Sequence, residues 1–319
     1  MGKRIDPHVH CRDWGQSYKA TIKSVTEIAR RQGVVAIIDM PNTQPAITSE
    51  ELVMRRLSTA ESEGCLDGYY LYVGATRSPE QLKEAVRLVR DNPKVLGIKM
   101  YAGRSVGDLE VPDEEGQRAV YRALAGAGYT GPVMLHCEKE SLFRMDLWDP
   151  KRPHTWLMAR PPEAEVESVR DQIRLAIDSG LEAHLHICHI SVPEAVELVN
   201  DARRELDISC GATPHHLTMS TDDMKTRDGI TYKVNPPLRD RETAAGLMDL
   251  LKHGRIDWIE TDHAPHTEDE KARSYLSGIQ SLGTYSSFLE GLREDGFTDA
   301  QIERLTYSNI KRVFPKIIE

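Results

Sequence analysis

The sequence predicts an α/β protein built as a single (β/α)₈ barrel of the TIM type. Eight short apolar runs alternate with eight amphipathic stretches, which is the pattern of parallel strands joined by helices. A doubly wound open sheet would show the same alternation, but a Gly-rich phosphate loop would be expected after its first strand, and none is present here. The longest irregular pieces all follow strands, so in a barrel they would lie at the carboxyl-terminal face. They are 101–112, 138–161, 211–240 and 263–283.

The strands are predicted from short runs rich in β-branched and other apolar residues. In order, they are Arg4–His10, Val34–Met40, Tyr69–Val73, Val95–Met100, Val133–Cys137, Ala183–His189, Asp207–Cys210 and Ile256–Thr261. The helices are predicted from amphipathic periodicity near 18–32, 48–63, 78–91, 113–126, 162–179, 193–205, 241–253 and 284–295, with a further segment near 300–312. Ser78 before Pro79, and Ser191 shortly before Pro193, are typical of helix starts.

We expect one domain spanning residues 1–319. The chain contains no internal repeat, low-complexity tract or clear linker, and only seven residues precede His8. This leaves no room for a small β-sandwich built from both termini.

Composition excludes several classes of function. The net charge is −9 and there is no long basic run, which argues against nucleic acid as a partner. No apolar stretch approaches the roughly 20 residues needed to span a membrane, and the N-terminus lacks a signal-peptide core. Five scattered cysteines without a CxxC pair favour a reduced, cytoplasmic protein, with cysteines that pack as small buried residues.

Histidines gather at the predicted strand ends. His8 and His10 have the i, i+2 spacing that places both side chains on one face of a strand, so they could share a metal ion. Alone, this pair would equally fit a structural role. His136 and His189 end two further strands, and converging imidazoles suit a zinc-type ion. His184 and His186 have the opposite parity to His189, so we assign them to the core or to the support of ligands.

Lys99 ends an apolar strand, where a surface lysine with its amine in solvent is one interpretation. Alternatively, a neutral amine could react with carbon dioxide to form a carbamate that bridges two metal ions about 3.5–4 Å apart. Asp262 ends the eighth strand, where an aspartate can bind a metal and move a proton, or simply cap a helix or turn. Asn42 lies between Pro41 and Pro45 after a buried strand, which by itself is typical of a turn.

Eight motifs in fixed order give the chain a family resemblance from about residue 4 to residue 315. They are "DPHVHCRD", "DMPNTQP", "GIKMYAG", "LHCE", "HICHIS", "TPHHL", "VNPPLR" and "TDHAPH". Together they strongly resemble the dihydroorotases of the amidohydrolase superfamily.

The resemblance implies a site with two Zn²⁺ ions. His8, His10 and Asp262 would bind the first ion, His136 and His189 the second, and carboxylated Lys99 would bridge them. The resemblance further implies that Arg12, Asn42 and His266 hold the substrate carboxylate and that Asn235 contacts the ring. On this interpretation the prolines around Asn42 stiffen the loop that aims its amide at the carboxylate.

The implied reaction is reversible hydrolysis of L-dihydroorotate to N-carbamoyl-L-aspartate, a step of pyrimidine (UMP) biosynthesis, with Asp262 as the proton carrier. Allantoinases and hydantoinases would share the metal site, and a non-catalytic barrel that partners another pyrimidine enzyme is a third reading. Arg12, the Asn42 loop and His266 favour dihydroorotase, because together they suit a carboxylate. The sequence leaves open a homodimer and docking on a carbamoyltransferase. The segment 103–108 stands where relatives carry a substrate loop.

Overall fold

Eight parallel strands arranged in chain order confirm the predicted barrel in the computed structural model, which describes residues 2–104 and 109–318. The strands are β1 Arg4–Val9, β2 Val34–Asp39, β3 Tyr69–Gly74, β4 Val95–Ala102, β5 Val133–Cys137, β6 Leu185–Ile187, β7 Ile208–Ala212 and β8 Trp258–Ile259. The barrel nearly closes, because the His10 backbone N–H donates to the His263 carbonyl at 2.9 Å and Val9 bridges His263.

Whereas β1 and β2 each end only one residue early, strands β6 and β8 are each four residues shorter than predicted. In both cases the backbone leaves the extended conformation near a predicted site residue: His189 has φ 39° and Asp262 has φ 45°. Residues with positive φ are uncommon outside glycine and end the regular strand geometry. In a regular strand, His186 and His189 would face opposite sides. The positive φ of His189 therefore explains how its side chain reaches the barrel mouth while His186 lies in the barrel interior.

The eight predicted helices are all present, at nearly the predicted bounds. The α-helices are α1 Ile22–Arg31, α2 Glu50–Ser62, α3 Pro79–Asp91, α4 Glu114–Gly126, α5 Trp156–Ala159, α6 Pro162–Ser179, α7 Pro193–Ala202, α8 Pro214–Thr218, α9 Arg241–Lys252, α10 Glu268–Arg273, α11 Tyr285–Glu294, α12 Asp299–Glu303 and α13 Asn309–Val313. The first begins later than predicted because Thr21 caps it, accepting a hydrogen bond from the Ser24 backbone. Ser191 does not cap α7, whose N-cap is Val192; Ser191 instead donates to Glu165.

The long segments after the strands contain short helices that periodicity did not reveal. Besides α5, α8 and α10, they include 3₁₀ turns at Glu140–Leu142, Met145–Leu147, Pro153–Thr155, Asp223–Lys225 and Gly229–Tyr232. Two further 3₁₀ turns lie at Trp14–Gln16 and Leu282–Thr284, and a π-helical turn, Arg304–Ser308, joins α12 to α13. The described parts of these long segments are therefore partly helical.

Apolar side chains fill the layer between the strands and the surrounding helices. At the opposite end of the barrel, Phe314 packs against Tyr72 and Trp258, with ring centroids 6.0 and 6.3 Å apart. The C-terminal segment therefore covers the floor of the barrel, and the functional site lies at the other end.

None of the helices within 2–104 and 109–318 combines the length and the apolar character that crossing a bilayer requires. Of the segment predicted to act as a substrate loop, Ser105–Asp108 lie outside the described residues.

Candidate metal centre and active site

One cavity at the carboxyl ends of the strands contains nearly all of the predicted site residues. We call it the mouth cavity. It is lined by His8, His10, Arg12, Asn42, Tyr101, His136, His189, Val234, Asn235, Asp262, Ala264, Ser277 and Gly278. Residues from seven different segments of the chain therefore meet there, as the predicted barrel requires.

The first predicted ligand group is assembled as the HxH spacing indicates. Asp262 Oδ1 lies 3.0 Å from His10 Nε2 and 3.4 Å from His8 Nε2, and all three residues are buried. Two donors bound to one tetrahedral zinc at about 2.0–2.1 Å would be about 3.3–3.4 Å apart. The spacing of these three atoms therefore fits one divalent ion.

Hydrogen bonds orient both imidazoles of this group. His10 Nδ1 donates to Asn42 Oδ1 at 2.7 Å, and His8 Nδ1 contacts Glu260 Oε1 at 3.3 Å. Such bonds leave each Nε2 lone pair directed at the ion position. Asn42 thus has a contact that the sequence did not suggest, in addition to its place in the cavity lining.

The second predicted group is His136 and His189. His136 Nδ1 lies 3.1 Å from His189 Nε2, close to the spacing expected for two ligands of one ion. His136 Nε2 donates to Glu138 Oε2 at 3.0 Å, and Glu138 in turn accepts from the buried guanidinium of Arg160. Burial alone would raise the pKa of Glu138, but Arg160 and His136 lower it to about 2, so this carboxylate stays charged and holds the imidazole.

Lys99 is fully buried, and no carboxylate of the described residues lies within ion-pair distance of its amine. Its Nζ lies 3.2 Å from Cys188 Sγ and 5.0 Å from the centroid of the Tyr101 ring. An uncompensated ammonium in such a place is costly. Conversion to an anionic carbamate would replace that ammonium, next to the side chains that are candidate metal ligands, by a negatively charged group. The surroundings of Lys99 therefore fit a carboxylated side chain.

All four candidate imidazoles are held neutral, as metal binding requires. Burial is the main cause: it lowers the pKa of His8 to about 4 and of His10 to about 3, and it lowers the pKa of His136 and His189 as well. Asp262 shows the opposite direction, since burial raises the pKa of its carboxyl group while His8 and Lys99 oppose the rise.

A second set of potential donors, His8, Cys188 and Glu260, also comes together. The Lys99 amine lies against the Cys188 sulfur, and burial raises the pKa of that thiol to about 12. Since a thiol binds metals as the thiolate, this set is a poor candidate site.

The cationic end of the mouth cavity is formed by Arg12. Its side chain is 2% exposed, Nε donates to the Pro265 carbonyl at 3.1 Å, and Nη1 has no hydrogen-bond partner among the described residues. A buried guanidinium N–H without a partner beside a cavity is suited to bind an anionic ligand group.

His266 lies behind Arg12 rather than in the cavity lining. Its Nε2 accepts from Arg12 Nη2 at 3.2 Å, and its Nδ1 lies 3.5 Å from both Lys19 Nζ and Glu270 Oε2. Direct contact of His266 with a substrate carboxylate stays a prediction. Asn235 does line the cavity, and its Oδ1 accepts from Trp156 Nε1 at 3.0 Å.

Sequence reasoning missed several side chains of this region. Tyr101 lines the cavity and its buried hydroxyl has no partner among the described residues. Ser277 lines it as well, and the nearly buried Lys233 donates to its Oγ at 2.8 Å while lying 3.6 Å from the centroid of the Trp156 ring. Glu138 could have been found from its position at a strand end in "LHCE", whereas nothing local distinguished Lys233 or Ser277.

Comparison with known proteins supports the interpretation of the site. No protein-family model matches the chain. It is 35% identical to a dihydroorotase from Brevibacillus brevis over 84% of its own length and 61% of that protein, so it spans less than two thirds of this relative. It is 30% identical to a dihydroorotase from Methanosphaera stadtmanae over 97% of its length and 70% of that protein.

Among solved structures, an L-hydantoinase (dihydropyrimidinase) from Arthrobacter aurescens superposes with a TM-score of 0.86 at 23% identity. The match covers 98% of this chain and 70% of that one. At this identity the likeness shows a shared fold only.

Proposed function

Because this chain belongs to the dihydroorotase family, we propose that it catalyses the reversible hydrolysis of L-dihydroorotate to N-carbamoyl-L-aspartate in pyrimidine biosynthesis. The observation that carries the proposal is the buried Nη1 of Arg12, which has no hydrogen-bond partner within 2–104 and 109–318 and belongs to a side chain that lines the same cavity as the imidazole and carboxylate cluster. A cyclic amide with a carboxylate substituent is the kind of substrate that needs both features.

Two divalent ions, proposed to be Zn²⁺, would be held by the two ligand groups. His8, His10 and Asp262 would hold one, and His136 and His189 the other, with carboxylated Lys99 between them. When bound, such ions activate water at neutral pH and polarise the amide carbonyl. The spacings of 3.0–3.4 Å within the groups and the burial of Lys99 support this assignment.

The side chains of the cavity would position the substrate for ring opening. Arg12 would bind the substrate carboxylate with charge-assisted hydrogen bonds, and Asn42 beside it would support the same group. Asn235 and Ser277 would face the ring from the other side of the cavity. Fixing the carboxylate sets the distance between the ring carbonyl and the candidate ligands, which is how binding energy contributes to rate.

Asp262 would carry the proton. In hydrolysis the oxygen of water bonds to the ring carbonyl carbon, the bond from that carbon to the ring nitrogen breaks, and one proton must move from the water to the nitrogen. The Asp262 carboxylate would accept that proton and deliver it. Its raised pKa, which has burial as the main cause, makes it a better base than an exposed aspartate.

The competing function is hydrolysis of an uncharged cyclic amide, because a hydantoinase or an allantoinase would use the same kind of metal site. Such substrates would leave Arg12 without an anion.

We also place the protein in the cytoplasm, in line with its five free, buried cysteines. Homodimer formation and docking on a carbamoyltransferase stay predictions.

The test is a set of ring-opening assays with purified, zinc-loaded protein. Dihydroorotate, 5,6-dihydrouracil, hydantoin and allantoin are compared at equal concentration, and the metal content is measured on the same sample. Turnover of dihydroorotate far above the other three is the expected result. Preference for an uncharged ring would overturn the dihydroorotase assignment, and a metal-free protein with full activity would overturn the metal assignment.

A further inference from the structure

Glu260 lies inside the barrel, and its carboxylate contacts both candidate ligand groups from the barrel interior. Glu260 follows β8 directly, precedes Asp262 by two residues, and is fully buried. Interior positions of such barrels are mostly filled by apolar side chains, so a buried acid there needs a specific reason.

Four nitrogen atoms surround this carboxylate, two at each oxygen. Oε1 faces the His189 backbone nitrogen at 2.6 Å and His8 Nδ1 at 3.3 Å. Oε2 faces Trp258 Nε1 at 3.0 Å and His186 Nε2 at 3.2 Å. A backbone N–H and an indole N–H can only donate, and each oxygen has one of them. Both oxygens therefore accept a hydrogen bond, and an ionised carboxylate can accept at all four contacts.

An ionised Glu260 selects the tautomer of His8. Its Oε1 can then only accept, so His8 Nδ1 carries the hydrogen, and in a neutral imidazole Nε2 carries the lone pair. That Nε2 is the atom 3.4 Å from Asp262 Oδ1, at the proposed ion position. Glu260 therefore presents the correct nitrogen of His8 to the mouth cavity.

The bond to the His189 backbone gives Glu260 a contact with the second group. His189 has φ 39°, a strained conformation that turns its side chain to the cavity. The Oε1 contact at 2.6 Å supports the backbone at this point. One carboxylate thus connects a candidate ligand of each ion.

The surroundings leave Glu260 little freedom to move. His186 stacks on the Trp258 ring at 3.8 Å between centroids, and its Nδ1 contacts Ser209 Oγ at 2.8 Å. A Cβ at Gly211 would approach the Glu260 carboxyl carbon to 2.9 Å, so a larger residue at this position would displace the carboxylate. The position of the carboxylate is set by packing as well as by its four nitrogen contacts.

We propose that Glu260 is a positioning residue that holds His8 in the metal-binding tautomer and supports the backbone of His189, and so raises the affinity of the paired metal site. This inference rests on the proposed function only in taking His8 and His189 as ligands. Loss of such a supporting hydrogen-bond partner typically lowers metal affinity about 10- to 100-fold.

The experiment measures zinc affinity of the full chain rather than turnover. Metal is removed with a chelator, and Zn²⁺ is titrated in competition with a chromophoric chelator for wild type, Glu260→Gln and Asp257→Asn. The control, Asp257, is a nearly buried carboxylate of the same strand region that accepts from Arg203 and from the Cys210 backbone, away from the mouth cavity. A glutamine cannot accept at both positions, so E260Q should bind zinc about 10- to 100-fold more weakly, and D257N should stay within about twofold of wild type.

A measurement on the wild type keeps the inference testable if E260Q does not fold. Nitrogen-15 NMR of labelled histidines reports which nitrogen of His8 is protonated, with the His8 signals assigned by their loss in His8→Asn. Protonated Nδ1 is expected, and protonated Nε2 would overturn the inference. Equal zinc affinity of E260Q and wild type would overturn it as well. A wild type that binds zinc but does not open dihydroorotate would instead refute the proposed function alone.

Discussion

Replacing Arg12 by methionine should selectively impair the charged substrate. Methionine keeps the approximate length and the apolar stem but removes the guanidinium, whose Nη1 has no partner among the described residues. If two N–H groups bind the substrate carboxylate, each charge-assisted bond contributes about 1.5–3 kcal/mol, for about 3–6 kcal/mol together. At about 1.36 kcal/mol per decade, kcat/KM for dihydroorotate should fall about 10²- to 10⁴-fold.

The assay is kcat/KM for L-dihydroorotate and for 5,6-dihydrouracil, the same ring without the carboxylate, with wild type and Arg12→Met. The wild type should prefer dihydroorotate by orders of magnitude, because the uncharged ring leaves the guanidinium unpaired. The variant should lose most of that preference while dihydrouracil turnover changes little.

Arg239→Met is the matched control. Arg239 is also a buried arginine, paired with Glu165 and donating to Ser191, and it does not line the mouth cavity. Its loss should lower the free energy of unfolding without changing the ratio of the two substrates. Equal use of both substrates by the wild type would refute the assignment, and an unchanged ratio in Arg12→Met would remove Arg12 from carboxylate binding.

Three further variants test other parts of the site. Lys99→Ala should lose metal and activity and regain part of both with short carboxylic acids; full zinc content and normal turnover would refute the carbamate. Asp262→Asn should keep the fold and most of the metal but lose at least about 10²-fold in turnover. Hydrolysis by wild type should decline as the pH falls through the raised pKa of Asp262, because protonation removes the base, and the variant should lack this decline. Lys233→Met should raise KM for dihydroorotate about tenfold with zinc content unchanged, since Ser277 loses the buried amine that donates to its hydroxyl, and an unchanged KM would contradict this role.

The local sequence pattern was sufficient to predict the barrel architecture. The bounds of β5 and α6 were predicted to the residue, because a buried parallel strand and an amphipathic helix are each specified by side chains close in sequence. The ends of β6 and β8 were not, because the backbone turns to positive φ at His189 and Asp262, and no local sequence pattern signals such a turn at a histidine or an aspartate. Helix starts show the same limit: Ser191 has the sequence of a cap but its hydroxyl bonds Glu165 on another helix.

The positions of the candidate ligands could also be predicted from local pattern, once it is combined with barrel topology. Strand parity places His8 and His10 on one face, and barrel topology brings every carboxyl-terminal strand end to one mouth, so His136, His189 and Asp262 follow from their positions alone. The roles of the ligand candidates and of Lys99 as a carbamate were implied by the family resemblance, and these roles stay predictions.

The sequence by itself therefore determined the barrel, its order of elements and the residue types collected at its mouth. Only the tertiary structure decided which atoms meet: Glu260 with His8, 252 positions apart, Arg12 with His266, and Lys233 with Ser277. Each of these contacts joins two segments that are far apart in sequence, so the periodicity within either segment does not predict it. Their geometry depends on how the strands tilt and where the backbone bends, and both are set by packing of the whole barrel rather than by neighbouring residues.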